Sequence, residues 1–169
     1  MMRIEQDIRR LGGIARRGEL LRMGHPRDFI DMTVIYRRNV ICLRKGWYAL
    51  RETPADVLAA WRSGGRLACV SAARYYGFEL PDAGRLHVSV PRNASRLPAA
   101  PPTLVRHWTD DQTLEGRPGW ARAAVPLAEA LAQIRSCACA VDAFAVLAKR
   151  DVTFADEARV PRASANGSL

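Results

Sequence analysis

The sequence predicts an α+β fold, and three observations predict it. Residues 4–36 carry apolar side chains at helical spacing broken by glycines, residues 40–50 hold two β-rich runs around a basic turn, and residues 53–150 alternate helical segments with short β-rich runs. The expected architecture is an N-terminal winged helix-turn-helix over residues 1–51, a small mixed α/β domain over 52–158 and a flexible tail over 159–169.

Ile4, Ile8 and Leu11 share one face of a helix over residues 2–11, which Gly12-Gly13 stops. Arg17 to Met23 is a second short helix with Gly24 as its C-cap, and His25-Pro26 makes a tight connection. Proline is favoured in a first helical turn, where its missing N–H costs nothing, so a third helix starts at Pro26 or Arg27 and runs to about Tyr36. Val40 to Leu43 and Trp47 to Leu50 are strands, with Arg44-Lys45-Gly46 turning between them and Gly46 where positive φ is needed. A basic tip directly after a helix-turn-helix has the form of a wing; it is also the form of an ordinary solvated turn.

Thr53 serves as N-cap and Pro54 as first-turn residue of a helix carrying Val57, Leu58 and Trp61, ended by Gly64-Gly65. Ser71 caps a short helix that reaches Tyr76. Leu86 to Val90 alternates, which puts Leu86, Val88 and Val90 on a buried face and His87 opposite it. Thr103 to Trp108 is a partner strand, residues 109–119 a polar loop and Ala121 to Val125 a third short strand. Helices then run from Pro126 to about Arg135 and from Ala140 to Arg150.

The 169-residue chain is 49% hydrophobic, ample for a packed core. Its net charge of +9 is uneven, because residues 1–51 hold 12 basic and 5 acidic side chains whereas residues 52–169 hold 14 and 12. The positive field belongs to the first segment. It suits a polyanionic partner, since Lys and Arg near phosphates release condensed counterions. The N-terminus turns polar at once and no apolar run approaches the ~20 residues that span a bilayer, so the chain reads as soluble and cytoplasmic, with no membrane partner. Cys42, Cys69, Cys137 and Cys139 form no Cys-x-x-Cys pair, and His25, His87 and His107 lie far from them in sequence. Linear spacing therefore predicts no metal, no cofactor and four free thiols.

At about 100° per residue, Arg27, Asp28, Asp31, Ile35 and Arg38 share one face of the third helix while Ile30, Thr33, Val34 and Tyr36 face the core. The first set is the expected reading face for double-stranded DNA. Arg27 pairs bidentately with guanine; Asp28 and Asp31 either accept from cytosine N4 or only complement the positive helix N-terminus. Arg16, Arg17, Arg37, Arg38, Arg44 and Lys45 are assigned to phosphates.

Catalysis is not expected. An acid-x-Lys nuclease core needs a carboxylate two residues before a lysine, yet Lys45 and Lys149 follow Leu43 and Leu147, and the Gly-Ser of a nucleotidyltransferase occurs only at Gly167-Ser168. Asp110, Asp111 and Glu115 could gather as a metal site, but polar loops carry such residues routinely, and no metal is assigned to them. Ser71 has no nucleophile elbow, and His87 and His107 read as structural or exposed.

The stretch Leu11-Gly12-Gly13-Ile14-Ala15 with Glu19-Leu20-Leu21, followed by Arg44-Lys45-Gly46-Trp47-Tyr48-Ala49-Leu50, resembles the N-terminal domain of AbiEi-family antitoxins. The resemblance continues through Cys69 to Ala73 with Tyr76-Gly77-Phe78, and through Leu86 to Arg92. It implies a winged helix-turn-helix repressor that autoregulates a toxin–antitoxin or phage-defence operon and opposes a nucleotidyltransferase toxin. Arg16 stands where the family has Thr or Ser, the third helix carries Asp28 and Asp31, and the nuclease domain that follows in many relatives is not expected here. A different expectation is an orphan or phage-encoded interaction module that sequesters a cognate toxin or host protein through residues 53–150, anchored by Trp61, Trp108 and Trp120.

Overall fold

Glycines and prolines that punctuate the sequence fall at the ends of the observed elements. The computed structural model describes residues 4–36, 39–81, 84–110 and 119–149. Its first half contains α1 (Ile4–Arg10), β1 (Ile14–Arg16), α2 (Arg17–Arg22), α3 (Arg27–Tyr36), β2 (Val40–Arg44) and β3 (Trp47–Leu50). The second contains α4 (Ala55–Arg62), β4 (Arg66–Leu67), α5 (Cys69–Tyr75), β5 (Leu86–Pro91), β6 (Leu104–Thr109), a 3₁₀ turn (Gly119–Arg122), α6 (Leu127–Ser136) and α7 (Val141–Lys149). The described chain is thus mixed α+β, with two small sheets. No single helix in it is long and apolar enough to cross a membrane.

The first sheet is antiparallel in the order β1-β3-β2, and Arg16 and Arg44 both pair with Trp47 from opposite sides. The second sheet runs β4-β5-β6, with β4 antiparallel and β6 parallel to the central strand. Strands β1 and β4 were not expected, because three and two residues are too few to display alternation. The strand expected over Ala121 to Val125 is instead the end of the 3₁₀ turn followed by a single parallel bridge between Leu67 and Ala124.

Two expected caps are corrected. Pro54, not Thr53, is the N-cap of α4, and the Thr53 hydroxyl donates to the Gly13 carbonyl at 3.2 Å. Ser71 lies inside α5, whose N-cap is Ala68, and its hydroxyl accepts the His87 N–H at 3.0 Å.

Side chains of the first sheet alternate between two cores. Ala15, Val40, Tyr48 and Leu50 join Ile4, Ile8, Leu20 and Ile30 in one buried cluster. Ile14, Leu43 and Ala49 point the other way and join Val57, Trp61, Leu67, Val88 and Ile134 in the larger one. That larger core crosses the expected 51/52 boundary, so the two halves bury apolar surface against each other. The expected tail over 159–169 lies outside the described residues.

Candidate functional site

The α2–α3 pair and the β2–β3 hairpin meet at one end of the first sheet. Gly24 and His25 close α2 by donating to the Leu21 and Leu20 carbonyls, each at 3.0 Å, and Pro26 leads into α3. The buried His25 ring places Nε2 2.8 Å from Asp7 Oδ2, which ties this turn to α1. At the hairpin, Gly46 adopts φ +79°, as its turn position requires, and its carbonyl accepts the Arg17 N–H at 2.8 Å. The hairpin tip is thereby fastened to the first residue of α2.

The sequence-expected DNA contacts that fall within the described residues separate into three groups here. Arg16, Arg27 and Lys45 are exposed. Arg17 is engaged instead: Nη1 donates to Asp31 Oδ2 at 3.2 Å, and Nη2 to Asp31 Oδ1 and to the Tyr48 hydroxyl. Its guanidinium carbon also lies 5.6 Å from the Tyr48 ring centroid. One side chain expected on phosphate and one expected on bases are therefore joined to each other. Arg44 is not at the hairpin's exposed tip. Its guanidinium carbon stacks 5.4 Å from the Trp47 ring and 5.8 Å from the Trp61 ring, which are themselves 4.3 Å apart. Burial, and then the charge of Arg16, push its pKa below the ordinary value. Arg37 and Arg38 lie outside the described residues.

Helix α3 buries Ile30 and Thr33 as expected, but Tyr36 is 71% exposed rather than turned to the core. With Met32 and Ile35 it gives the outer face of α3 an apolar character that charge counting missed. Among the expected protein-binding anchors, Trp61 is corrected to a core residue, 3% exposed, with its Nε1–H donating to the Arg122 carbonyl at 2.7 Å. Trp108 is half exposed, and the Trp120 side chain lies outside the described residues. Asp110 pairs with Arg92 at 2.9 Å on the surface. Asp111 and Glu115 lie outside the described residues.

A second constellation sits between the second sheet and its helices. On β5 and β6, Ser89 pairs with His107 and His87 with Val105, so the two imidazoles share one sheet face with a diagonal offset. Their rings stack 5.4 Å apart, with His87 Nδ1 3.1 Å from His107 Nε2. Cys137 Sγ, at the C-cap of α6, lies 3.9 Å from His87 Nδ1, and Cys69 opens α5 beside them. Sequence reading separates these four residues; the fold gathers them. Burial, then the neighbouring His107 and Arg85, lower the His87 pKa to about 4, and burial lowers that of His107, so the surroundings favour the neutral form of both rings. Burial, then Cys137, raise the Cys69 thiol to about 12.

No family model matches the chain, and no curated protein does.

Proposed function

We propose that the N-terminal segment is a winged helix-turn-helix that binds double-stranded DNA, and that the protein is a sequence-specific transcription regulator of the AbiEi-like antitoxin kind. One observation carries this reading: α2 and α3, joined by a tight turn, are followed by an antiparallel hairpin whose tip is bonded to α2, in the part of the chain that holds most of the excess positive charge. In this reading α3 enters the major groove. Arg27 reads guanine and the exposed Ile35 meets a thymine methyl, while Arg16 and Lys45 neutralise phosphates. Asp31 repels phosphate little because Arg17 already compensates its charge. The second half of the chain opposes a toxin and performs no hydrolysis.

The test is titration of the DNA upstream of the gene, and of a scrambled duplex, at several salt concentrations. Tight binding to the upstream duplex, weakened by roughly 1–3 kcal/mol and with relaxed preference at one base pair in Arg27→Ala, is the expected result. Equal affinity for both duplexes removes sequence-specific regulation, and no binding at low salt removes DNA altogether.

The exposed Trp108, Val141 and Phe144 favour a second reading, a module that sequesters a toxin or host protein. A stable protein partner on purification without any shift of the upstream DNA selects it.

A further inference from the structure

We propose that Cys69, His87, His107 and Cys137 bind one zinc ion in a closed two-cysteine, two-histidine site. The four residues each offer a ligand atom, and these atoms all lie within 4.8 Å of one another. Zinc bound tetrahedrally at about 2.0–2.1 Å from nitrogen and about 2.3 Å from sulfur has ligand-to-ligand edges of about 3.3–3.8 Å. The 3.1 Å between the imidazole nitrogens and the 3.9 Å from Cys137 Sγ to His87 Nδ1 bracket that range, so small side-chain adjustments close the shell.

Each ligand comes from a different element: the first residue of α5, β5, β6 and the C-cap of α6. Cys69 adopts φ +48°, a left-handed conformation that a side-chain-bearing residue rarely takes and that persists only where its surroundings hold it. Those surroundings are present. The Cys69 N–H donates to Gln133 Oε1 at 2.8 Å, Gln133 Nε2 donates to Glu129 Oε1 at 3.1 Å, and Ser71 anchors the His87 backbone, a supporting layer of the kind that orients metal ligands. A cavity of about 70 Å³ lies beside the cluster, lined by His87 together with Ser71, Arg85 and Cys139.

The donor set selects the metal. Two sulfurs and two imidazole nitrogens in a tetrahedral arrangement suit zinc, whereas magnesium and calcium need oxygen ligands. Zn²⁺ displaces one proton from each thiol and none from the neutral imidazoles, so two thiolates balance its charge and the buried site is left neutral overall. With all four positions taken by protein, no place remains for a substrate. The ion is a structural staple that fastens β5 and β6 to α5 and α6.

The test uses the full chain, purified without chelators and then exposed to Zn²⁺ or to Co²⁺ as its spectroscopic stand-in. The expected results are about one zinc per chain, a tetrahedral cobalt spectrum with sulfur-to-cobalt charge transfer, and a lower Tm on chelation. Cys137→Ser and His107→Ala should each weaken zinc binding tenfold or more, while Cys139→Ser keeps it. A folded wild-type chain that takes up neither metal overturns the site, as does equal zinc affinity in wild type and Cys137→Ser. Should the ligand variants not fold, thiol labelling of the wild type decides: zinc slows labelling of the half-buried Cys137 relative to the exposed Cys42 if the site exists, and changes neither if it does not.

Discussion

Arg122, 3% exposed in the second half of the chain, closes on Glu19 of α2 with two hydrogen bonds, Nη1 to Oε2 at 2.9 Å and Nη2 to Oε1 at 2.5 Å. The same Nη1 reaches the Ile14 carbonyl at 3.3 Å, and Glu19 Oε2 also accepts the Arg16 N–H at 2.7 Å. The carboxylate thus caps α2 and holds the second half against it. Removing one partner leaves the other charge buried and uncompensated, so Arg122→Ala should lose about 3–5 kcal/mol in chemical denaturation. A loss below about 1 kcal/mol would show the pair to be as weak as a surface one.

That pair also makes stability depend on pH. Burial by itself raises the Glu19 carboxyl, but hydrogen bonds from Arg122 and the Arg16 N–H, with the Arg122 charge, outweigh it and hold the pKa below the ordinary 4.5. A depressed folded pKa means the stabilisation is fully present well above 4.5 and is lost as pH falls through the folded value. Wild type should therefore lose more stability between pH 6 and pH 3 than Glu19→Gln does. Parallel denaturation curves for the two proteins across that window would place the acid sensitivity elsewhere.

An isolated fragment of residues 1–51 should not fold. Ile14, Leu43 and Ala49 belong to the larger core, and Trp47 packs on that core, so all four lose their cover in the fragment while Glu19 loses Arg122. Circular dichroism of the fragment should show no cooperative melt. A cooperative transition would restore the expected boundary at 51/52 and allow DNA contact to be tested on the fragment alone.

The order of elements was legible wherever turn chemistry dictates it. Gly46 marks the hairpin because its turn needs positive φ, and Pro26 marks α3 because proline fits only a first turn. Residues defined by long-range packing were not legible. Alternation put His87 opposite an apolar face, yet β5 is a central strand with His87, Val88, Ser89 and Val90 all buried, so period two no longer separates core from solvent. The Cys69–His87–His107–Cys137 cluster has no linear signature because every ligand sits on its own element. For the same reason Arg17 and Asp31, on neighbouring helices, read as separate DNA contacts although they bind each other.

Three side chains distinguish a paired cation from a free one. Under the DNA-binding reading, Asp31→Ala releases Arg17 and should raise affinity for all duplexes and steepen the salt dependence by about 0.9, one phosphate contact. Lys45→Ala should flatten it by the same amount with stability unchanged. Arg44→Ala should mainly destabilise, because its guanidinium covers Trp47 and Trp61. Titrations at four salt concentrations beside a thermal melt read all three; a thermally silent Arg44→Ala with a flattened slope would return that residue to the phosphate-contacting set.

Two glycines with nearly the same backbone separate conformational strain from crowding. Gly12 has φ +85° and Gly46 φ +79°, so alanine at either position meets a similar left-handed penalty of about 1–2 kcal/mol. Their surroundings differ. A Cβ on Gly12 would lie 2.2 Å from the Gly119 carbonyl oxygen, whereas one on Gly46 meets nothing within 4 Å. The crowded atom belongs to backbone and cannot rotate away, so Gly12→Ala has to push apart the loop after α1 and the 3₁₀ turn that carries Arg122. Gly46→Ala should show the strain alone, and Gly12→Ala should lose a further 1–3 kcal/mol, roughly the range for overpacking. Denaturation midpoints measure the difference. Equal midpoints would mean that the Gly12–Gly119 approach yields without cost, and the close docking of the two halves at that point would have to be abandoned.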